Sequence, residues 1–203
     1  MKKIWIILLV IALLGAGGGV GGYVYFSGAV YRDLNEKLQT KAEKLELNVS
    51  TQRDGLVLSG NYVLEGIDEN TQKITYTYDR LCEFEEVDGV LVPPEHQTKT
   101  EKGSMRVRAG KVISLDGKQS NLSLADMTLS ALHFDRSYFT EVSDEAGEFH
   151  AKVSNAQALL GFTQACDDME MTVRYDDVHI SEILVTYTGE GGSLVTLQYL
   201  FAY

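Results

Sequence analysis

The C-terminal part of the chain carries the pattern that most narrows its fold, because apolar and polar side chains alternate one by one through three successive segments. Successive side chains of a β-strand point to opposite faces, so this period of two predicts strands with one buried and one wet side. Asp176-Asp177 and residues 189–192 supply turn sequences between the segments. Residues 168–202 are therefore predicted to form an antiparallel three-strand meander. The apolar positions are Met169, Met171, Val173 and Tyr175, then Ile183, Val185 and Tyr187, then Val195, Leu197, Tyr199 and Phe201.

Weaker alternation reaches back to about residue 48 and predicts further strands. A short helix is expected over Asn155–Phe162, with Asn155 as its N-cap and Gly161 near its end. Pro93-Pro94 predicts a polar loop within residues 88–103, because proline breaks a strand ladder. We interpret residues 48–203 as a single β-rich domain, although the proline loop could also join two lobes. The apolar positions are Leu56, Leu58, Tyr62 and Leu64, then Ile74, Tyr76 and Tyr78, then Met105 and Val107, then Val112–Leu115.

The N-terminal segment differs from the rest, because no charged residue occurs from Ile4 to Phe26. As a helix it would extend about 35 Å, enough to cross the core of a bilayer. Lys2 and Lys3 favour a cytoplasmic N-terminus. The sequence therefore predicts a cytoplasmic tail at 1–3, a single transmembrane anchor at 4–26 and a C-terminal domain outside the cytoplasm.

A cleavable signal peptide is the alternative interpretation of this segment. It would use Ile4–Leu14 as its apolar stretch and Gly15-Ala16-Gly17 as its processing site. Cleavage there would leave an apolar mature N-terminus, so the uncleaved anchor is preferred. Gly15/Gly19 and Gly18/Gly22 have the small-xxx-small spacing that allows transmembrane helices to self-associate, while a flexible or processing segment explains the same glycines.

The segment at 27–47 has a helical rhythm. Apolar residues recur every three or four positions from Val30 to Leu45, with charged residues on the intervening faces. This spacing predicts an amphipathic helix over Ala29–Leu47, which either packs on the following domain or forms a stalk. The expected fold class is therefore α+β, mainly antiparallel β, with an N-terminal transmembrane helix and an amphipathic helix preceding the sheet.

The charge balance restricts the partners. The net charge of −11 argues against nucleic acid, because nucleic-acid recognition depends on basic surfaces. The membrane is the expected partner of residues 4–26. An envelope protein, a glycan or an apolar ligand on the sheet remain open as partners of the domain.

Cys82 and Cys166 are the two cysteines of the chain. In an exported domain such a pair predicts one disulfide, which would stabilise the fold by roughly 4 kcal/mol in the chain-entropy model. Two independent buried thiols are the alternative.

Enzyme motifs are sparse. The HExxH, GxSxG and SxxK patterns are absent from the sequence, and His133, His150 and His179 have no metal-ligand spacing, so no metal or cofactor site is predicted. A membrane-anchored β-domain with His96, Cys166 and Arg174 superficially resembles a sortase, a family in which such residues support acyl transfer. Residues 162–166 lack the family's Thr-Leu-x-Thr-Cys pattern, and His96 lies in Pro-Pro-Glu-His without a matching motif.

The sequence thus predicts a non-enzymatic, membrane-tethered binding or interaction module outside the cytoplasm, and it assigns no catalytic, cofactor-binding or metal residues. The alternative is a sortase-like transpeptidase that uses Cys166 as its nucleophile.

Overall fold

The computed structural model describes residues 28–67, 70–82, 85–88, 90–92, 98–109, 111–118, 129, 132–161 and 166–203. The predicted anchor at 4–26, with its glycine pairs, lies outside these ranges. No helix within them is long and apolar enough to cross a membrane.

A ten-stranded antiparallel sheet forms most of the described chain. Its order is β7-β6-β3-β2-β1-β12-β11-β10-β9-β8, and β4 and β5 form a separate two-stranded ribbon. The first and last strands, β1 and β12, pair at the centre of the sheet, so β7 and β8 are its two edges. The strands are β1 Lys44–Arg53, β2 Leu56–Glu65, β3 Gln72–Leu81, β4 Glu85–Val87, β5 Val90–Val92, β6 Thr98–Arg108, β7 Lys111–Gly117, β8 Phe139–Glu145, β9 Glu148–Val153, β10 Asp167–Tyr175, β11 Ile180–Thr188 and β12 Leu194–Ala202.

Within the described ranges, two α-helices accompany the sheet. α1 covers residues 28–38 and α2 covers Ala156–Leu160. Short 3-10 turns occur at Arg136–Tyr138 and Glu190–Gly192.

The predicted antiparallel β fold and its meander are confirmed. β10 pairs with β11 and β11 pairs with β12, each antiparallel. The predicted short helix is confirmed as α2. The Asn155 side chain accepts a hydrogen bond from the Ala158 N–H at 3.0 Å, and Gly161 ends the helix with a φ of 73°.

Two predicted boundaries are wrong. The amphipathic helix ends at residue 38 instead of Leu47, because residues 44–47 already form the start of β1 between β2 and β12. Leu45 and Leu47 are buried in that strand, and their spacing also fits a period of two. The predicted loop at 88–103 contains β5 and the start of β6, while Pro93-Pro94 lies outside the described residues.

One face of the sheet, here called the inner face, carries the apolar core. The strand register places Leu47, Tyr62, Tyr199, Ile183 and Val173 on this face, and each is buried. The alternate positions form the outer face, which is largely polar. The apolar positions of the alternating sequence pattern therefore identify the face of the sheet that is buried.

Helix α1 packs on the inner face beside β8 and β9. Tyr31 stacks on Phe139 at 5.7 Å between ring centroids and meets Phe149 edge-on at 5.8 Å. Phe134 lies 6.1 Å from Phe139 and 6.3 Å from Phe149. We call Tyr31, Phe134, Phe139 and Phe149 the aromatic cluster. Stacked and edge-to-face rings at these separations add to the stabilisation from burial alone.

A polar clamp fixes α1 beside this cluster. The Asn35 side-chain amide donates to the Phe134 carbonyl at 2.7 Å, and its oxygen accepts from the Phe134 N–H at 2.9 Å. Both polar groups of the Phe134 backbone are thus satisfied by one side chain. This reciprocal pair joins residues far apart in sequence and sets the position of the helix along the sheet.

Candidate functional site

A concave site lies between the start of α1 and the edge strand β8, and we call it the α1–β8 cleft. Its volume is about 770 Å³, within the range of small-molecule binding sites. Val30, Tyr31, Phe139 and Val142 give it an apolar floor. The remaining lining residues form a more polar rim: Ala29, Asp33, Arg136, Thr140, Glu141, Asp144 and Tyr175.

Irregular backbone shapes the β8 side of the cleft. The pairing of β8 with β9 shifts register between Thr140 and Ser143, and Glu141 adopts a positive φ of 51°. Such a bulge bends an edge strand and re-aims its side chains. The cleft therefore lies where the sheet departs from regular pairing.

Tyr175 joins the cleft to α1 through a network of polar contacts. Its hydroxyl donates a short hydrogen bond to the Asp144 carboxylate, and the Lys37 ammonium lies 5.4 Å from the centre of its ring. Lys37, itself almost fully buried, pairs with Asp33 at 2.6 Å. A buried lysine needs such a partner to remain charged, so the network stabilises α1 at this position.

Burial raises the pKa of Tyr175 well above the usual tyrosine value, and the hydrogen bond to Asp144 raises it further. The phenol therefore stays protonated throughout the physiological range. Its single O–H is held by the Asp144 carboxylate, so Tyr175 fixes the position of that carboxylate at the rim of the cleft.

The charges around the rim are unequal. Asp33, Glu141 and Asp144 supply carboxylates, while Arg136 is the cation of the lining. Lys37 and Lys152 neutralise part of this charge from outside, through Asp33 and Glu141 respectively. Arg136 itself has no ion-pair partner among the residues that the structure describes. The arrangement suits a molecule with an apolar body and a neutral, zwitterionic or cationic head.

The structure describes two of the three residues that carried the sortase resemblance. Cys166 immediately precedes β10, and Arg174 lies eight positions later in the same strand, so roughly 25 Å of extended chain separates them. The Arg174 guanidinium forms ion pairs with Glu148 at 3.0 Å and with Glu182 at 2.5 Å. His96 lies outside the described residues. The geometry therefore gives no support to a site that joins Cys166 with Arg174.

The two cysteines are half-buried and are not joined by a disulfide in this structure. Cys82 follows β3 and Cys166 precedes β10, with four strands of the sheet between these two. Burial raises the pKa of the Cys166 thiol, and the neighbouring Asp167 raises it further. The disulfide stays a prediction.

The histidines are dispersed. His150 contacts the Thr172 hydroxyl at 3.1 Å, and the ring of His179 lies 4.1 Å from that of Tyr203. His133 is exposed. Within the described ranges no three His, Cys, Asp or Glu side chains cluster in a way that could hold a metal ion.

Sequence reasoning missed the cleft completely. None of its residues belongs to a recognised motif, and β8 shows little alternation because Phe139 is its one buried residue. One local signal in the sequence marks the turn before β8, namely Asp135-x-Ser137. In the structure the Asp135 carboxylate caps this 3-10 turn by accepting from the Ser137 N–H at 2.8 Å.

No protein-family model matches the chain, and neither does any curated protein. Among solved structures, a DUF1329 family protein from Desulfovibrio piger aligns with 10% identity and a TM-score of 0.27, covering 85% of this chain and 90% of that one. The dehydratase domain from the CurF module of curacin polyketide synthase aligns with 8% identity and a TM-score of 0.21, covering 83% of this chain and 78% of that one. At these scores neither likeness carries an argument about function.

Proposed function

We propose that this protein is a membrane-tethered binding module whose β-rich domain lies outside the cytoplasm and holds an amphiphilic ligand in the α1–β8 cleft. The observation that supports this most directly is the position of the cleft. Ala29, Val30 and Asp33 line it, and they follow within a few residues of the predicted anchor that ends at Phe26. Even fully extended, three residues reach at most about 10 Å, so such a cleft would open close to the bilayer surface.

The chemistry of the lining supports an amphiphile. The apolar floor favours burial of a hydrocarbon chain, since each buried CH₂ contributes about 0.8 kcal/mol. The acidic rim favours a head group that carries a positive charge. A zwitterionic lipid such as phosphatidylcholine combines both features and is a suitable probe.

Tethering and orientation are tested in cells. Fractionation should place the full-length protein with membranes, and protease added to intact or wall-stripped cells should digest the C-terminal domain. A protected domain would reverse the orientation. A soluble product that begins near Gly18 would establish cleavage instead of anchoring.

Ligand binding is tested with the full chain in nanodiscs that contain phosphatidylcholine with a photoactivatable diazirine near the end of one acyl chain. After illumination, mass spectrometry should find crosslinks in the peptide that contains Phe139–Glu145, in addition to those in residues 4–26. Val142→Trp fills the floor of the cleft and should reduce the β8 crosslinks severalfold.

Val178→Trp is the matched control, because Val178 is 56% exposed and lies outside the cleft. It should leave the β8 crosslinks unchanged. Crosslinks confined to residues 4–26, or β8 crosslinks that Val142→Trp does not reduce, would contradict the proposed site.

The sortase-like alternative is tested through the reactivity of Cys166. The raised pKa leaves little thiolate at neutral pH, so iodoacetamide should label Cys166 of the folded full chain slowly. The rate should increase as the pH rises towards the thiol pKa. Rapid labelling at neutral pH that His96→Ala prevents would support a nucleophilic role and contradict the non-enzymatic assignment.

A further inference from the structure

The outer face of the sheet contains a second concave site, whose lining differs chemically from that of the α1–β8 cleft. It has a volume of about 590 Å³ and crosses β3, β2, β1, β12 and β11. We call it the polar trough. Its lining is Asn48, Val49, Ser50, Ser59, Gly60, Asn61, Thr77, Asp79, Leu184, Thr196 and Gln198.

One row of the trough consists of amide side chains that bind one another. Asn61 donates to Asn48 at 2.8 Å, and Asn48 donates to Gln198 at 3.3 Å. The row is anchored at its ends by carboxylates, since Asn61 also donates to Glu46 at 2.7 Å and Gln198 donates to Glu182 at 2.6 Å. These bonds fix the amides, so their remaining donor and acceptor capacity is held in a defined geometry.

The neighbouring row consists of hydroxyl side chains. Ser50 pairs in register with Ser59 on one side and with Thr196 on the other. A further hydroxyl, that of Thr77, lies across from Asn61 at the end of the amide row. The hydroxyl groups of these four residues make no hydrogen bond to protein within the part of the chain that the structure describes. Ser50, Thr77 and Thr196 are nevertheless half-buried, because they lie in a concave surface.

The charge of the trough differs from that of the whole protein. The chain has a net charge of −11, yet Asp79 is the one charged side chain among the described lining residues. Asp79 is itself engaged, accepting from the Thr100 hydroxyl at 2.7 Å and the Ser59 N–H at 3.2 Å. A site of this kind recognises a partner by hydrogen bonds and not by ionic attraction, while the surrounding acids repel polyanions.

We propose that the polar trough binds a neutral, polyhydroxylated ligand, namely a short segment of an uncharged glycan. Amides and hydroxyls each donate and accept, which matches the sugar hydroxyl group. The four strands from β3 to β12 span about 14 Å, enough for a few sugar units lying across the strands. Leu184, which pairs with Gln198 on the outer face, offers apolar surface that the ring carbons of such a ligand would cover.

A protein partner fits the trough less well. The described lining contains no Tyr, Trp, Phe, Met or Arg, the residues that dominate the buried centres of protein interfaces. The lipid proposed for the α1–β8 cleft is also excluded here by the polar lining. The two sites therefore take different ligands, and this inference does not rest on the proposed function.

The test is saturation-transfer difference NMR on the full chain in nanodiscs, with chitotetraose, cellotetraose and maltotetraose as neutral probes and tetragalacturonate as the anionic comparison. At least one neutral tetrasaccharide should receive saturation, more strongly than its disaccharide, and tetragalacturonate should receive none. The triple variant Ser50→Ala, Thr77→Val, Thr196→Val removes three hydroxyls with little change in volume. It should weaken binding about tenfold or more, because each lost hydrogen bond to the ligand reduces affinity severalfold.

Thr75→Val is the matched control, since Thr75 lies on the same face of β3 and does not line the trough. It should leave the affinity within twofold, as should Val142→Trp in the α1–β8 cleft. Circular dichroism of the triple variant must match the parent chain; if it does not, Thr196→Val alone supplies the comparison. Absence of binding for all three neutral probes, preference for tetragalacturonate, or binding that hydroxyl removal leaves unchanged would overturn the proposal.

Discussion

The two faces of the sheet use opposite kinds of interaction across the same strands. On the inner face, the aromatic cluster packs Tyr31 of α1 against Phe139 and Phe149. On the outer face, a polar ladder runs through six neighbouring strands, from Asn61 in β2 to Glu148 in β9. Its members, in sheet order, are Asn61, Asn48, Gln198, Glu182, Arg174 and Glu148.

Stability and strand register depend on different faces of this sheet. Burial of apolar side chains is strong but non-directional, so it tolerates small displacements of one strand along another. Side-chain hydrogen bonds between neighbouring strands require defined positions, so they penalise such displacements. We therefore expect the inner face to supply most of the free energy of folding and the outer face to hold the register.

Phe149→Ala should have the largest effect on stability. Phe149 is fully buried and contacts the three other rings of the aromatic cluster. Removal of its ring loses transfer free energy and leaves a cavity, which together cost about 3–5 kcal/mol of unfolding free energy. Urea unfolding of the full chain in detergent micelles, followed by circular dichroism, measures this change.

Val178→Ala is the control for Phe149→Ala, because Val178 is 56% exposed. Its unfolding free energy should differ from that of the parent chain by less than about 0.5 kcal/mol. A loss below about 1 kcal/mol for Phe149→Ala would show that the inner face contributes less than its burial implies.

Strands could be predicted where apolar and polar residues alternate regularly, and they could not be predicted where this alternation is interrupted. The meander of β10, β11 and β12 was found because its inner positions are continuously apolar. The edge strand β8 was not, because its register shift after Thr140 and its exposed polar residues remove the period of two. The overlong helix prediction has a related cause: Ala42 and Leu45 fit a helical spacing, whereas pairing with β2 and β12 decides the structure from Lys44 onward.

The candidate sites were less predictable than the fold. The α1–β8 cleft forms between segments that are far apart in sequence, and the polar trough depends on the register of β3, β2, β1 and β12. The pairing of Asn48 with Asn61 and Gln198 requires knowing that β1 lies between β2 and β12. Single-sequence reasoning gives the faces of strands but does not give their neighbours.

Glu182→Ala should have an intermediate effect and tests the outer face. The Glu182 side chain is 11% exposed and accepts from both Arg174 and Gln198. Its removal leaves the half-buried Gln198 amide without this acceptor, while the exposed Arg174 keeps Glu148. We expect a loss of about 1–2 kcal/mol in urea unfolding. Glu148→Ala is the matched control, because Glu148 pairs with the same arginine but is 49% exposed.

The Glu148→Ala loss should be below about 1 kcal/mol and should diminish further at high salt, since water and ions screen an exposed pair. The Glu182→Ala loss should persist at high salt. Equal losses for the two variants would contradict the view that the ladder derives its strength from its buried members.

The smallest expected effect concerns a turn that belongs to neither face. The carboxylate of Asp176 accepts from the N–H groups of Val178 at 2.8 Å and His179 at 2.7 Å, and these bonds lower its pKa, with Val178 making the larger contribution. A carboxyl whose pKa is lower in the folded state stabilises the fold above its unfolded pKa, and this contribution disappears as the pH falls through the folded value.

Asp176→Asn keeps an acceptor oxygen but cannot titrate. Its melting temperature should therefore be close to that of the parent chain at neutral pH and should fall less steeply on acidification below about pH 4. Asp177→Asn removes the same charge from the same turn and should retain the steeper acid dependence of the parent chain. If both variants follow the parent curve, the Asp176 contacts do not couple folding to protonation.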